Sequence, residues 1–267
     1  LLFSFSKGFV TAIAKRPHKH YRRFFIPKHD GERQIYSPRV ALKAIQKWIG
    51  HHLSRAIETR DHVHGFVRMR SIVTAARAHC PAAWIARLDI KDYFPSITKD
   101  EVFRQFSALG YSRRAAHLAA DLLTLNGSLP QGSPASPVMS NLALAVIDRQ
   151  LAELAATCRV RITRYADDIV FSGETSQPPR LLQDAAEIIT RGGYAICHRK
   201  TRNRAAPRQL LVHGLVVNGP IPRLPKAYRN KVRMMRYALE KQVLPSEVSS
   251  SYRGHIAFAQ SIEPLPQ

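Results

Sequence analysis

Two adjacent aspartates between two strand-like segments constrain the fold of this chain more than any other feature. Asp167 and Asp168 separate residues 161–165 from residues 169–172, and both segments have the composition of short strands. The chain has only 19 acidic residues against 41 lysines and arginines. Because neighbouring carboxylates repel each other and lose hydration when buried, an acidic turn inside apolar sequence requires cations nearby. The pattern predicts a hairpin whose turn presents acids to a cation.

A second pair of acids follows another predicted strand. Residues 84–90 are mostly apolar, with Asp89 near the end of the segment and Asp92 just beyond it. Mg²⁺ prefers oxygen ligands and typically takes one or two carboxylates together with substrate phosphates. Two such ions can activate a 3′-hydroxyl and stabilise a departing pyrophosphate. The acids therefore predict two Mg²⁺ ions, or Mn²⁺ in their place, and the alternative is an exposed Asp-Asp turn without a ligand.

The charge balance predicts a polyanionic partner. The net charge is +22, and neutralising phosphates releases counterions, which makes nucleic acid the first candidate. The alternative is a solvated basic surface. No apolar run approaches the roughly 18 residues of a membrane span, so no membrane partner is expected. Cys80, Cys158 and Cys197 lack a CxxC spacing, which argues against a disulfide scaffold or a zinc ribbon and favours the reducing cytoplasm.

Hydrophobic spacing predicts an α+β fold with segregated layers. Asp30-Gly31 is a turn signal, so residues 24–27 and 33–36 are predicted to form an antiparallel hairpin. Helices are predicted over residues 40–53, 72–79, 99–109, 113–125, 137–154, 181–190 and 228–242. Further strands are predicted over residues 194–197 and 209–217, a structured loop over 127–137, and a short tail after 242.

Three motifs in this order resemble reverse transcriptases. Tyr165-Ala166-Asp167-Asp168 resembles their catalytic turn, and residues 88–94 (LDIKDYF) resemble their first catalytic strand. Residues 129–137 (LPQGSPASP) resemble the loop beside their nucleotide, and the similarity runs from about residue 21 to residue 218. The resemblance implies a right-hand polymerase fold with an antiparallel palm sheet backed by helices. The fingers would be 1–86 and 105–134, the palm 87–104 and 135–217, and the thumb 218–267.

The resemblance implies a role for each acid. Asp89 and Asp167 would bridge the two metal ions, Asp168 would complete the acidic turn, and Ile90 would offer its backbone carbonyl. Lys200 matches the lysine proposed in polymerases to protonate pyrophosphate, a form of catalysis that typically contributes about 10²–10⁴-fold.

A nucleotide pocket around the acids is also implied. Phe94 would be an aromatic steric gate that excludes a ribose 2′-hydroxyl and so selects dNTPs; the alternative is a core position. Lys28 and Arg33 would hold the β- and γ-phosphates, and the alternative is a solvated edge strand. The other residues assigned to the pocket are Asp92, whose backbone would face the triphosphate, Gln131 and Gly132, which would shape the pocket, and Tyr165 beside the acids.

Two further segments are similar to retron reverse transcriptases, with one departure each. Their Asn-Ala-x-x-His signature corresponds to Ala75-Ala76-Arg77-Ala78-His79 here, and their Val-Thr-Gly signature corresponds to Val212-His213-Gly214. Any contact made through the missing Asn or Thr is therefore in doubt. Diversity-generating reverse transcriptases usually carry Ser-Gln where this chain has Gln131-Gly132, which argues against that branch of the family.

Retron type implies a structured non-coding RNA as template and primer, and a branched RNA–DNA product made for antiphage defence. An operon-encoded effector protein is a further implied partner. Basic residues of the thumb would hold the RNA through its shape and phosphates, namely Arg229, Lys231, Arg233 and Arg236. The alternatives are another short defence-associated reverse transcriptase with different priming, including template-independent synthesis, and a non-catalytic RNA-binding scaffold.

Overall fold

The computed structural model describes residues 5–28, 31–241 and 246–263. The helices described are α1 Lys7–Lys15, α2 Val40–Ala56, α3 Ile72–Ala78, α4 Tyr93–Ser96, α5 Lys99–Ala108, α6 Arg113–Leu123, α7 Ser136–Ala143, α8 Ala145–Thr157, α9 Leu181–Arg191, α10 Lys226–Glu240 and α11 Ser246–Gln260. The strands are β1 Tyr21–Lys28, β2 Gly31–Pro38, β3 Trp84–Asp89, β4 Arg161–Tyr165, β5 Asp168–Gly173, β6 Arg202–Ala205, β7 Leu211–Val212 and β8 Leu215–Val216. Among the described helices, none is both long and apolar enough to span a membrane.

A four-stranded antiparallel sheet, the central sheet, has the order β4-β5-β3-β6. Trp84, Ala86 and Leu88 alternate along β3 and pack against the helical layer of α7, α8 and α9. Ile85, on the opposite face of β3, packs in a second apolar cluster with the C-terminal helices. Every residue of β5 is buried because both faces of the sheet are covered.

The helical layer corrects one prediction. A single helix over residues 137–154 is wrong, because Leu144 (φ −90°, ψ 1°) ends α7 and α8 starts at the next residue. Seven of the eight residues of α7 are buried, whereas α8 buries one face. Because buried residues, three of them polar, surround α7, the sequence shows no change of periodicity that would mark the break.

The C-terminal part differs most from expectation. The strand predicted over 209–217 is wrong: β7 and β8 form a small antiparallel pair, turned by His213 and Gly214 at φ +49° and +83°. Residues 194–197 form only an isolated bridge between Ile196 and Ile90. The tail predicted after residue 242 contains α11, which packs against α10. The Tyr228 hydroxyl lies 2.8 Å from Nδ1 of His255 in that contact.

The N-terminal hairpin, β1 paired with β2, is confirmed with antiparallel register. The turn residue Asp30 lies outside the described residues. Gln46 on α2 joins three elements, since its amide donates to the Tyr21 hydroxyl and the Leu122 carbonyl (both 2.7 Å) and accepts from the Ser133 hydroxyl (2.9 Å). These bonds attach the hairpin to the loop that precedes α7.

The histidine of the Ala-Ala-x-x-His segment is a structural residue. His79 is fully buried, and its two ring nitrogens lie 2.7 Å from the hydroxyls of Ser172 on β5 and Thr163 on β4. Burial lowers the pKa of His79 to about 3, assisted by the charge of His213 if that ring is protonated and by Arg161. The ring is therefore neutral in the folded protein and holds the end of α3 against the central sheet.

Replacing His79 by Gln tests this assignment, because Gln retains a donor and an acceptor but does not titrate. The folded-state pKa of about 3 lies below the ordinary value of 6.5, so between these values only the unfolded chain binds the proton. The wild type therefore loses stability as pH falls from 6.5 towards 3. We expect its thermal unfolding midpoint to drop more steeply on acidification than that of His79→Gln. The control is His51→Gln at an exposed position, which should retain the wild-type slope; equal slopes in all three proteins would contradict the assignment.

Candidate active site

The acidic turn, Tyr165 to Asp168, joins β4 to β5. Tyr165 and Asp168 form the last pair of the two strands, and Ala166 has φ +57°. The left-handed conformation costs a non-glycine residue roughly 1–2 kcal/mol, so neighbouring contacts must hold it. The turn carries Asp167 beyond the end of the sheet, while Asp168 lies directly beside Asp89 of β3.

Lys200 neutralises the acids that point beyond the sheet. Its ammonium donates to both carboxylate oxygens of Asp89 (2.9 and 2.8 Å) and lies 4.0 Å from Oδ2 of Asp167. Burial raises the pKa of Asp167, and the charge of Asp89 raises it further. Burial acts to lower the pKa of Lys200, but its hydrogen bond to Asp89 and the charges of Asp89 and Asp167 together outweigh burial, so the net shift is upward. The acids thus hold the Lys200 ammonium at the end of the central sheet.

Asp168 has different partners, which sequence reasoning missed. Nε of Arg87 donates to Oδ1 of Asp168, and Nδ1 of His213 lies 3.3 Å from Oδ2. Burial raises the pKa of Asp168 to about 6 against the opposing effect of Arg87. Burial also lowers the pKa of His213 to about 4, so this ring is neutral near pH 7. His213 stands where the retron signature has Thr, and it contacts the acidic turn.

A cavity of about 620 Å³, the acid cavity, brings most predicted site residues together. Eight of them line it: Arg33, Asp89, Ile90, Asp92, Phe94, Gln131, Asp167 and Lys200. Asp168, Gly132 and Tyr165 are not among its lining residues, and the side chain of Lys28 lies outside the described part of the chain. Sequence reasoning did not assign the other eight lining residues, which are Glu32, Phe66, Lys91, Tyr93, Pro95, Ala166, Cys197 and Arg199.

Gly132 positions the cavity wall instead of lining it. It has φ +118°, and a Cβ there would lie 2.7 Å from the Tyr36 carbonyl oxygen of β2. Next to it, the Gln131 carbonyl accepts from the Tyr36 amide (2.8 Å). Only glycine permits this close approach, which holds Gln131 against the hairpin that carries Arg33.

Phe94 lies on the short helix α4, which begins after Asp92 at φ +47°. Its ring centroid is 6.1 Å from that of Phe66 and 5.2 Å from that of Tyr93. Phe94 is half-buried and lines the acid cavity, so it combines a packing contact with a surface that a ligand can touch.

A buried guanidinium supports the acidic turn from below. Arg164 has no solvent exposure and forms a bidentate pair with Asp148 on α8, with both distances 2.6 Å. It also donates to the Ala166 carbonyl (3.1 Å) and to the Tyr93 hydroxyl (3.0 Å). The signal visible in the sequence was Asp148, an acid in a mostly apolar helix. Arg164 gave no such contrast, because β4 also contains Arg161 and Thr163.

Gly65 supports the same turn from another side. A Cβ at this position would overlap the Ala166 nitrogen and lie 3.1 Å from the Tyr165 carbonyl carbon. The Asn141 amide donates to the Gly65 carbonyl (2.9 Å), and Arg164 donates to the Asn141 side chain (3.2 Å). The left-handed Ala166 is thus enclosed by a single hydrogen-bonded network.

The predicted nucleic-acid residues lie on α10. Lys231 and Arg233 are exposed, while Arg229 lies 3.8 Å from Glu263 and Arg236 lies 3.9 Å from Glu240. Val232 and Met235 are buried on the other side of the helix. The helix therefore presents basic side chains outward and packs through its apolar face.

The oxygen donors at this site suit a hard divalent cation whose coordination shell is completed by substrate. Asp89 and Asp167 supply carboxylates, and the Ile90 carbonyl accepts no hydrogen bond from the described residues. Within those residues, no group of three or more His, Cys, Asp or Glu side chains could hold a metal ion unaided. Mg²⁺ commonly binds through one or two carboxylates plus substrate phosphates, which fits this set.

The chain has the right-hand polymerase fold. Its antiparallel sheet carries acids at one end, is backed by helices, and is flanked by a hairpin and a helical pair. Among solved structures, telomerase from Candida albicans in complex with the TWJ fragment of telomeric RNA resembles the chain with a TM-score of 0.56. The match covers 82% of this chain and 49% of that one at 11% identity. The predicted fold class is confirmed.

Sequence comparison gives the family. Residues 26–217 match the family described as reverse transcriptase (RNA-dependent DNA polymerase), and the chain belongs to it. The retron Mx162 reverse transcriptase of Myxococcus xanthus is 31% identical over 98% of this chain and 60% of the relative. The retron Mx65 enzyme of the same organism is 32% identical over 92% and 62%. The predicted retron-type resemblance is confirmed, and the chain spans about 60% of the length of these relatives.

Gly65→Ala tests the support of the acidic turn. The added methyl group must displace the backbone around Ala166, and overpacking of this kind typically costs about 1–3 kcal/mol. We expect a lower free energy of unfolding, measured by chemical denaturation. Gly219→Ala is the matched control, because a Cβ at residue 219 meets nothing within 4 Å. A Gly65→Ala protein as stable as Gly219→Ala would show that the turn does not depend on this contact.

Proposed function

We propose that this chain is an RNA-directed DNA polymerase of retron type that adds deoxynucleotides to a nucleic-acid hydroxyl. The observation that carries the proposal is the convergence of Asp89, Asp167 and Lys200 in a cavity that is also lined by Arg33 and Phe94. Membership of the reverse transcriptase family supports the same chemistry.

In the proposed reaction, the attacking oxygen forms a bond to the α-phosphorus and the bond from that phosphorus to pyrophosphate breaks. Divalent ions held by Asp89, Asp167 and the Ile90 carbonyl would lower the pKa of the attacking hydroxyl and neutralise the departing charge. Arg33 lies close enough to favour the charged form of Asp167, and it would bind the triphosphate. The hydroxyl proton leaves to solvent.

Lys200 has the position and the protonation state of a general acid. Its raised pKa keeps it charged near pH 7, and it lies between the two carboxylates. With cations bound to the carboxylates, the ammonium of Lys200 would be free of Asp89 and would donate a proton to the departing pyrophosphate. Asp168, paired with Arg87, holds the turn in register and completes the acidic set.

The finer parts of the proposal concern template, product and domains. The chain would copy a structured non-coding RNA into a branched RNA–DNA hybrid for antiphage defence in the cytoplasm, alongside an effector protein. The curated relatives named as retron reverse transcriptases and the net charge of +22 support an RNA partner. The proposed fingers are 1–86 and 105–134, the palm 87–104 and 135–217, and the thumb 218–267 with its basic helix α10.

Asp89→Asn and Asp167→Asn each remove one carboxylate charge from the acid cavity. We expect each variant to lose at least about 10³-fold in extension of a DNA primer on an RNA template, because charge stabilisation in the transition state is lost. Binding of the same primer–template should be retained. The control is Asp184→Asn on α9, a residue that does not line the acid cavity. Full extension by either cavity variant would refute the proposed catalysis, and RNA binding without any wild-type extension would favour the scaffold alternative.

Phe94→Ala tests nucleotide selection. Removing the ring opens space in the acid cavity, so we expect the preference for dNTP over rNTP to fall by about tenfold or more, equivalent to roughly 1.4 kcal/mol. Single-nucleotide incorporation with each substrate measures the ratio. Phe9→Ala is the control, since Phe9 is an exposed ring on α1 that does not line the cavity. An unchanged ratio in Phe94→Ala would leave Phe94 as a packing residue only.

A further inference from the structure

A second cavity lies on the face of the central sheet opposite the helical layer. Its volume is about 210 Å³, and it is lined by Ile85, Arg87, Arg202, Arg204 and Leu211. We call it the arginine pocket. Within the part of the chain that the structure describes, no acidic side chain lines this pocket.

The strand register places like charges directly opposite each other. Arg87 on β3 pairs with Arg202 on β6, and Arg204 pairs with Ile85 one step further along the same face. Like charges directly opposite on neighbouring strands destabilise a sheet. Such an arrangement is explained when an anion binds between the guanidinium groups.

The guanidinium groups retain donors for such an anion. Arg202 and Arg204 are exposed, and their side chains make no hydrogen bond or ion pair with any described residue. Arg87 donates to Asp168 through Nε, and its two terminal nitrogens have no partner in the described part of the chain. The planar guanidinium fork matches phosphate oxygens. A pocket smaller than the roughly 300 Å³ of drug-sized sites suits one phosphate group.

The position of the pocket identifies which phosphate it suits. Arg87 precedes Asp89 by two residues on the same face of β3, a separation of roughly 7 Å along the strand. Arg33 and Gln131, which belong to the N-terminal hairpin and the loop docked on it, line the acid cavity but not this pocket. A nucleic-acid strand that brings its terminal hydroxyl to Asp89 from the side away from the N-terminal hairpin would cross the arginine pocket.

We propose that Arg87, Arg202 and Arg204 bind a backbone phosphodiester near the reactive end of the nucleic-acid strand that is extended. The inference rests on the proposed polymerase function and adds a binding site to it. Because Arg87 also holds Asp168, the same side chain connects the bound strand to the acidic turn.

The test uses Arg202→Gln/Arg204→Gln and leaves Arg87 in place because of its contact with Asp168. The matched control is Arg149→Gln/Arg159→Gln, which removes two exposed charges on and just after α8, in the layer on the opposite face of the sheet. The probe is a DNA primer annealed to an RNA template, and binding is measured by fluorescence anisotropy at several salt concentrations. Thermal unfolding confirms that both variants fold.

We expect Arg202→Gln/Arg204→Gln to bind about tenfold more weakly than wild type, with the slope of log K against log salt reduced by about 1. Neutral methylphosphonate linkages placed one at a time near the 3′ end then locate the phosphate. One linkage should weaken binding by wild type and have no further effect in the variant, since the two changes remove the same contact.

Two results would overturn the inference: binding by Arg202→Gln/Arg204→Gln equal to that of the control, or a methylphosphonate effect that is the same in wild type and variant at every linkage. Failure of the polymerase proposal has a different signature. Wild-type protein that binds the primer–template but does not extend it with dNTPs and Mg²⁺ or Mn²⁺ would refute the catalysis and leave the binding comparison valid.

Discussion

The buried pair between Arg164 and Asp148 is the interaction on which the site depends. The Arg164 side chain has no solvent exposure. Burying a guanidinium in this way costs free energy unless its donors are satisfied. Here they are shared among Asp148, Tyr93, Asn141 and the Ala166 carbonyl. One side chain therefore joins α8, α4 and α7 to the acidic turn. Loss of either member of the pair would leave an uncompensated charge beneath the acidic turn.

The acids at the site are matched with cations on every side. Lys200 holds Asp89, and Arg87 holds Asp168. Asp167 is more exposed than Asp89 and Asp168, but it is still partly buried. This partial burial and the neighbouring charge of Asp89 raise its pKa. The site is therefore arranged to receive further positive charge at Asp167 while the other two carboxylates stay oriented. This strongly basic chain, with only 19 acidic residues, therefore gathers three of them at one end of the central sheet.

Several elements were predictable because their signals are local. The N-terminal hairpin follows from a turn signal between apolar strands, and the acidic turn follows from a short interruption between two strands. The break at Leu144, the β7–β8 pair and α11 were not predictable. Burial on all sides removes the periodicity at α7, and a two-residue strand is too short to show alternation. Arg164 and Gly65 were missed because their roles depend on neighbours that are distant in sequence.

By itself, the sequence determined the acids of the site, their position at strand ends, the basic character of the surface and the family to which the chain belongs. These properties depend on residue type and short-range order. Tertiary structure decided which acid meets which cation, how Gly65 and Arg164 hold Ala166, and that Arg87, Arg202 and Arg204 face one pocket. Such contacts arise from strand register and from packing between distant segments, and a one-residue change in register would direct each side chain to the other face of the sheet.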